Sequence, residues 1–171
     1  MKNRINHAGF NLIELLVVVA LLAILLSVAV PSYRALITHT RTATIVSELV
    51  ATISYARNQA VKKHEIVTIC NSTDGKQCGG SWSQGWIVFV DKQGKGQVGD
   101  GDQILAYHQI LKPQGQLSWK ASRSSDYLQM GPRGTTWGQD GTFTYSPFDK
   151  DSQSTYAVIV SQTGRARIEE K

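Results

Sequence analysis

The strongest pattern in the chain is one apolar run near its start. Residues 10–30 are almost entirely hydrophobic, whereas residues 1–9 are polar and basic. At a helical rise of about 1.5 Å per residue, the run would extend about 30 Å, enough to cross the hydrocarbon core of a bilayer. Lys2 and Arg4 precede the run without an acidic residue. The positive-inside rule therefore predicts that residues 1–9 are cytoplasmic and that the chain after residue 30 lies outside.

A second pattern, with a helical period, follows Pro31. Leu49, Ile53, Ala56 and Ala60 recur at spacings of three or four residues, and charged residues such as Arg57 lie off this stripe. We therefore predict an amphipathic helix over about residues 32–63 that packs its apolar face on a sheet. The helix should continue the apolar run, with a bend at Pro31.

From residue 65 onward the pattern changes to short β-rich runs bounded by glycine and asparagine. The predicted strands are residues 66–70, 86–90, 104–109, 116–120, 142–145 and 156–161. No helical pattern separates them, so we expect antiparallel pairing. The predicted fold class is α+β: a long N-terminal helix, half transmembrane and half amphipathic, packed on antiparallel β-sheet. Residues 1–9 would be a leader, residues 10–30 a spanning helix and residues 31–171 one globular domain, β-rich over residues 65–171.

One acidic residue interrupts the apolar run. Glu14 lies where a carboxylate in a membrane helix costs about 2.5–3.5 kcal/mol, so a compensating partner is expected. An ordinary secretory signal would be cleaved at small residues after its apolar core and discarded, and Ala29 alone makes that possible. A plain membrane anchor with an incidental glutamate is the other alternative.

The segment GFNLIE, residues 9–14, resembles the type IV prepilin signature. The resemblance implies that prepilin peptidase cuts between Gly9 and Phe10, that Phe10 is N-methylated and that the apolar helix stays on the mature protein. It also implies that Glu14 serves filament assembly among pilin subunits. In low-dielectric surroundings Glu14 can pair with the α-amino group of Phe10 on a neighbouring subunit.

Three later segments are similar to the GspH/FimT group of minor pilins and pseudopilins: WSQGWIVFVD at 82–91, GDGDQIL at 99–105 and VIVSQTGRAR at 158–167. The resemblance covers nearly the whole chain. It implies a type IV pilin-like fold, a single pass through the bacterial inner membrane, a periplasmic C-terminal domain, and assembly into a pilus or pseudopilus. In FimT-like members the C-terminal GRxR element, here Gly164, Arg165 and Arg167, carries DNA binding during natural transformation.

The same element has a physical interpretation. Gly164 can make a tight turn, and arginines at i and i+2 in extended chain project to one side, which suits neighbouring phosphates. Lys120, Arg123 and Arg133 precede the element in the sequence and would extend the candidate patch if the fold brings them together. In the competing interpretation, the arginines pair with Glu169 and Glu170 in a solvated turn. The alternative function is a structural subunit without DNA binding, either a tip-priming minor pilin or a type II secretion pseudopilin.

Two cysteines, Cys70 and Cys78, flank seven residues rich in turn formers. In an exported protein we expect a disulfide, which would contribute about 2–3 kcal/mol. Half of a metal site is the alternative, but the spacing is not CxxC and a second ligand pair is missing from the sequence.

The composition and the remaining candidate residues do not alter the predicted fold or function. With 42% hydrophobic and 18% charged residues the chain is typical of globular proteins, and its net charge of +5 permits a polyanionic partner without requiring one. Asp91, Asp100 and Asp102 are weak calcium candidates in what we interpret as a solvated hairpin loop. The histidines fit no triad or metal spacing, so we predict no enzyme, metal, cofactor or small-molecule substrate.

The four tryptophans are either core residues or stacking platforms for single-stranded nucleic acid. They are Trp82, Trp86, Trp119 and Trp137. Trp86 precedes an apolar run and is expected in the core, and packing is the usual role for Trp82 and Trp137 in glycine-rich turns.

Overall fold

The computed structural model describes residues 11–148 and 155–170. These residues form one α-helix, one short 3-10 helix and eight β-strands. They divide into two compact units, one ending at Ile37 and one starting at Thr38. The processing residues Gly9 and Phe10 lie outside the described residues, so the positions predicted for cleavage and methylation stay predictions.

Helix α1 spans Leu12–Lys63. Its first part, Leu12–Val30, is long and apolar enough to cross a membrane, judged by length and composition. The apolar side chains of this part are exposed, and Glu14 is exposed among them. The helix is continuous across Pro31, and the bend predicted there remains a prediction.

The later part of α1 is amphipathic, as predicted. Leu49, Ile53, Ala56 and Ala60 are each at most 1% exposed and lie in one core cluster with residues from both sheets. The helix ends at Lys63, where Lys62 and Lys63 compensate the negative end of the helix dipole. His64 follows with φ 55°, a left-handed conformation that commonly ends a helix.

The strands form two four-stranded antiparallel sheets, so antiparallel pairing is confirmed. The first sheet has the order β3-β2-β1-β5 and the second β4-β6-β7-β8. Six strands match predicted ones within a residue or two, whereas β5 and β8 were not predicted. The strand bounds are β1 Val67–Asn71, β2 Gly85–Val90, β3 Gln103–Gln109, β4 Gly115–Ala121, β5 Tyr127–Met130, β6 Gly141–Pro147, β7 Tyr156–Val160 and β8 Ala166–Glu170.

Three of the four tryptophans belong to the core. Trp82, Trp86 and Trp119 are at most 5% exposed, and the Trp86 indole donates a hydrogen bond to Thr52 Oγ1 on α1 at 3.1 Å. Burial excludes these three as stacking platforms, because a base cannot reach their rings. Trp137 is 44% exposed, so its expected packing role is only partial.

The predicted disulfide between Cys70 and Cys78 is confirmed, with the two Cα atoms 5.6 Å apart. Asp74 organises the loop between them by accepting hydrogen bonds from the backbone N–H groups of Lys76 and Gln77. These two bonds hold the pKa of Asp74 below its ordinary value.

The interpretation of residues 91–102 as a simply solvated loop is wrong for Asp91. This carboxylate is 1% exposed and accepts hydrogen bonds from Thr68 Oγ1 and Gln129 Nε2, both at 2.9 Å, and from the backbone N–H groups of Lys95 and Gly96. Asp91 therefore ties its loop to strands β1 and β5. Within the described residues, no cluster of three or more His, Cys, Asp or Glu side chains fits a metal ion.

Candidate nucleic-acid interface

The turn between β7 and β8, residues 161–165, holds Gly164 and Arg165 of the GRxR element, and the element ends in β8 with Arg167. Gly164 N donates to Ser161 O at 2.9 Å and Ser161 N donates to Arg165 O at 3.0 Å, which closes the hairpin. Gly164 has φ 71°, in the left-handed region that glycine enters without a steric penalty. The tight turn predicted at Gly164 is therefore present.

Both arginines of the element are exposed. Arg165 directly precedes β8, and Arg167 lies within it, opposite Ile159 of β7. Within the described part of the chain, neither guanidinium forms an ion pair or hydrogen bond with Glu169 or Glu170. The Glu170 carboxylate instead accepts a hydrogen bond from the Tyr156 hydroxyl at 3.2 Å. The competing interpretation, in which the arginines pair with these glutamates, is therefore wrong for this structure, where the ion pair among the described residues is that of His108 with Glu48.

The second sheet places one of the weaker candidates on the same face as Arg167. Lys120 pairs with Thr142, which pairs with Ile159, which in turn pairs with Arg167. Residues directly opposite one another in a sheet share a face, so Lys120 and Arg167 lie in one row on the outer face. Their backbones are three strand spacings apart, about 14 Å. Both side chains are exposed.

The loop that leads into β6, residues 131–140, is fastened to the β7–β8 turn. Thr136 N donates to Gln162 O at 3.0 Å, and a side chain at Gly164 would collide with the Gly134 carbonyl oxygen. This loop carries the exposed Arg133 beside Gly134. The structure thus brings Arg133 to the neighbourhood of the turn.

The loop before β5 joins the same region. Its Arg123 donates from Nη1 to the carbonyl oxygen of Trp137 at 3.3 Å. Trp137 lies in the 131–140 loop, and its ring packs so closely on Gly131 that any side chain there would clash with it. Arg123 and an exposed aromatic ring are therefore neighbours at this end of the molecule.

Arg57 of α1 also belongs to this region, although its position in the sequence suggests only a solvent-facing side chain. Its Nε donates to Gly134 O at 2.8 Å, and Nε and Cδ lie 3.4 Å from the position that a Cβ on Gly164 would take. Arg57 thus links the helix to the 131–140 loop and to the turn. Sequence reasoning missed Arg57 because a charged residue off the apolar stripe of a helix is normally solvent-facing, and nothing in the local sequence indicates a contact with a distant loop.

Two segments of the chain match known protein families. Residues 46–164 match the family described as type II transport protein GspH, and residues 4–30 match the prokaryotic N-terminal methylation motif. The chain belongs to the GspH family of type IV minor pilins and pseudopilins. As a GspH-family protein with this motif and an apolar N-terminal helix, it is a membrane-anchored pilus or pseudopilus component that undergoes prepilin processing and interacts with other pilin subunits.

Individual relatives are consistent with this membership. Pilin-like protein PilA1 of Thermus thermophilus is 27% identical over 174 residues, covering 96% of this chain and 99% of that protein. A fimbrial protein of Pseudomonas aeruginosa is 32% identical over 90 residues, covering 53% of this chain and 56% of that protein. The crystal structure of the type IV minor pilin FimU of Pseudomonas aeruginosa aligns with a TM-score of 0.58 at 21% identity, covering 77% of this chain and 90% of that one. The predicted pilin-like fold is confirmed.

The GspH match ends at Gly164, so Arg165 and Arg167 lie directly beyond it. The family model therefore describes the scaffold of this GspH-family chain up to the turn. The chemistry of the two arginines has to be argued from their own geometry.

Proposed function

We propose that this chain is a minor pilin of a type IV pilus that binds DNA without sequence specificity through its β7–β8 turn, for DNA uptake in natural transformation. The observation that carries the proposal is the pair of exposed arginines, Arg165 and Arg167, neither of which forms an ion pair with Glu169 or Glu170 among the described residues. Planar guanidinium groups bind phosphate oxygens through two donors at once, and phosphate contacts carry no base information.

Neighbouring cations support a surface larger than two residues. Lys120 shares the outer sheet face with Arg167, and Arg123 and Arg133 lie on loops connected to the turn. Two to four phosphate contacts correspond to a slope of log K against log salt of about −2 to −4. One subunit would then bind weakly, and several copies in a filament would bind together.

The proposal includes a route to the filament. Prepilin peptidase cuts after Gly9, the helix from Phe10 holds the subunit in the inner membrane with its domain in the periplasm, and the helix then moves from lipid into a bundle of sister helices. Glu14, exposed on this helix, pairs there with the Phe10 amine of a neighbouring subunit.

The DNA-binding part is tested by a double substitution, Arg165→Gln with Arg167→Gln, in the full chain held in uncharged maltoside micelles. Binding of a short labelled duplex should weaken at least tenfold, and the salt slope should fall by about 2, because two phosphate contacts are lost. The thermal midpoint should stay within about 2 °C, since both side chains are exposed.

The matched control is Lys92→Gln with Lys95→Gln, which removes the same charge from exposed positions in the 91–102 loop. This control should bind DNA with an unchanged slope of log K against log salt. Equal binding by the arginine variant and the wild-type chain would reject the turn as the DNA site. Equal weakening in both variants would mean that overall charge, rather than the turn, governs binding.

A second candidate function is favoured by the family match itself, whose description is a type II transport protein. Under this alternative the chain is a GspH-like pseudopilin, or a tip-priming minor pilin, without a nucleic-acid role. A deletion strain separates the two functions. Loss of protein export with normal transformation would support the secretion role, whereas loss of transformation with normal export would support DNA uptake.

A further inference from the structure

A small polar pocket separates α1 from the β7–β8 turn. It has a volume of about 200 Å³ and is lined by Ser54, Arg57 and Asn58 from the helix and by Gly164, Arg165 and Ala166 from the turn. All six belong to the compact unit that begins at Thr38. The pocket adjoins the proposed DNA-binding arginines but opens between the helix and the turn, whereas Arg167 points to the outer face of the sheet.

The side chains around the pocket are rich in hydrogen-bond donors. Two guanidinium groups, one amide and one hydroxyl line it, and none of its lining residues is acidic. Such a set of groups is electrostatically suited to an anion. The two guanidinium charges, with no carboxylate beside them in the lining, disfavour a cation.

The Arg57 side chain is held in a fixed position beside the pocket. Its Nε–H is bound to Gly134 O at 2.8 Å and its side chain is half-buried, which fixes the orientation of the planar guanidinium. Among the described residues, its two terminal nitrogens have no hydrogen-bond or ion-pair partner. A guanidinium that is already ordered loses less side-chain entropy when it binds a ligand.

We propose that this pocket is a phosphate subsite that receives one phosphate group between Arg57 and Arg165. Phosphate fits better than carboxylate because its oxygens point in several directions, and the donors come from two walls, the helix and the turn. That the phosphate belongs to the DNA backbone rests on the proposed function. Free inorganic phosphate shares the same chemistry and is the other source.

The first test uses inorganic phosphate on the full ¹⁵N-labelled chain in maltoside micelles, at constant ionic strength. The Arg57 Nε–H signal and the Gly164 amide signal should shift saturably with phosphate. Asn58→Asp places a carboxylate in the pocket without touching the Arg57–Gly134 hydrogen bond, and it should weaken this binding at least tenfold. Gln97→Glu, an equal charge change at an exposed residue of the 91–102 loop, should leave binding unchanged.

The second test uses a short duplex with the same two variants. Asn58→Asp should reduce the salt slope by about 1, the loss of one phosphate contact, whereas Gln97→Glu should not. Ser54→Asp, one helical turn earlier on the same wall, repeats both tests if Asn58→Asp fails to fold.

The outcomes separate the two proposals. Phosphate shifts that are absent, or equal in Asn58→Asp and wild type, overturn the subsite, even if the Arg165 and Arg167 double variant still loses DNA. In a second outcome, the wild-type chain binds phosphate but no duplex, and Asn58→Asp abolishes the phosphate binding. This result supports the subsite for free phosphate and rejects the DNA function. If Asn58→Asp weakens phosphate binding and also lowers the salt slope of duplex binding, the result supports a subsite for the DNA backbone.

Discussion

Gly164 is the residue that most constrains the candidate turn, because it combines a left-handed backbone with close packing. Gly138 offers a matched comparison, since its φ of 73° is nearly the same as the 71° of Gly164, but the nearest atom to a Cβ there would be Arg123 Nη1 at an ordinary contact distance of 3.8 Å. Gly138→Ala should lower the free energy of unfolding by about 1 kcal/mol, the backbone cost alone. Gly164→Ala should cost about 2–4 kcal/mol, because its methyl group meets the Gly134 carbonyl.

Denaturant titration of the full chain in micelles, followed by tryptophan fluorescence, measures both changes. Equal losses in the two variants would contradict the close contact between Gly164 and Gly134. A larger loss at Gly138 would contradict the relaxed 3.8 Å contact with Arg123 there.

Asp91 is the second residue whose environment makes a sharp prediction. Its carboxylate accepts four hydrogen bonds, two from side chains and two from backbone N–H groups. Asp91→Asn would turn an amide N–H₂ toward some of these donors and remove the charge, so we expect a loss of about 2–3 kcal/mol in the free energy of unfolding. Asp100→Asn, at an exposed position of the same loop, should change it by less than about 0.5 kcal/mol. Similar losses in the two variants, measured by the same titration, would show that the Asp91 network is unimportant.

At this scale the sequence predicted some site residues and missed others for a physical reason. Arg165 and Arg167 were identified because they are adjacent to a turn-forming glycine in a short motif. Arg57 was not, because its contact with Gly134 spans 77 residues along the chain. Asp91 likewise seemed solvated, because its partners on β1 and β5 are remote in sequence.

Among the secondary-structure elements, those with a strong periodic pattern were predicted and those without one were missed. The helix stripe and six strands have long apolar or alternating runs. Strand β5 has only four residues, and β8 is a charged edge strand, ARIEE, whose outward residues resemble a solvated tail. Pairing with β7, rather than intrinsic propensity, makes β8 a strand.

The disulfide that ties β1 to its following loop gives a prediction at the element scale. Cys70 is fully buried and bonded to Cys78 across a separation of eight residues. Reduction should lower the free energy of unfolding by about 2–3 kcal/mol, because the short loop regains chain entropy in the unfolded state. Unfolding with and without reductant measures the loss, and a Cys70→Ser, Cys78→Ser chain should not respond to reductant. A wild-type chain that is equally insensitive would contradict the prediction.

For the whole molecule, the sequence predicted the α+β class but did not divide the strands into two sheets. That division depends on which strands pair, and β1 pairs with both its chain neighbour β2 and the distant β5. Such long-range pairing has no local signature. The amphipathic part of α1 contributes to a core cluster shared by both sheets, and the apolar stripe of this helix was visible in the sequence.

Filament assembly is the prediction that belongs to this scale. Glu14→Leu should remain in the membrane fraction but fall at least tenfold in sheared filaments, because the proposed partner of the Phe10 amine is lost. Ser27→Leu is the matched control, since the Ser27 hydroxyl donates to Ile24 O within its own helix. Quantitative immunoblotting of both fractions measures the effect. Normal filament levels of the Glu14 variant would rule out a role for this carboxylate in assembly.

The link from Arg57 through Gly134 to Gly164 has a mechanical consequence. Strand β8 lies at a sheet edge, so a pull on its turn would peel it from β7 one ladder bond at a time, the weakest direction in which to load a sheet. Because the turn rests on Gly134 and Gly134 is bound by Arg57, part of that tension passes directly into α1. A force applied at this turn would thus load the Arg57 side chain as well as the hydrogen bonds between β7 and β8.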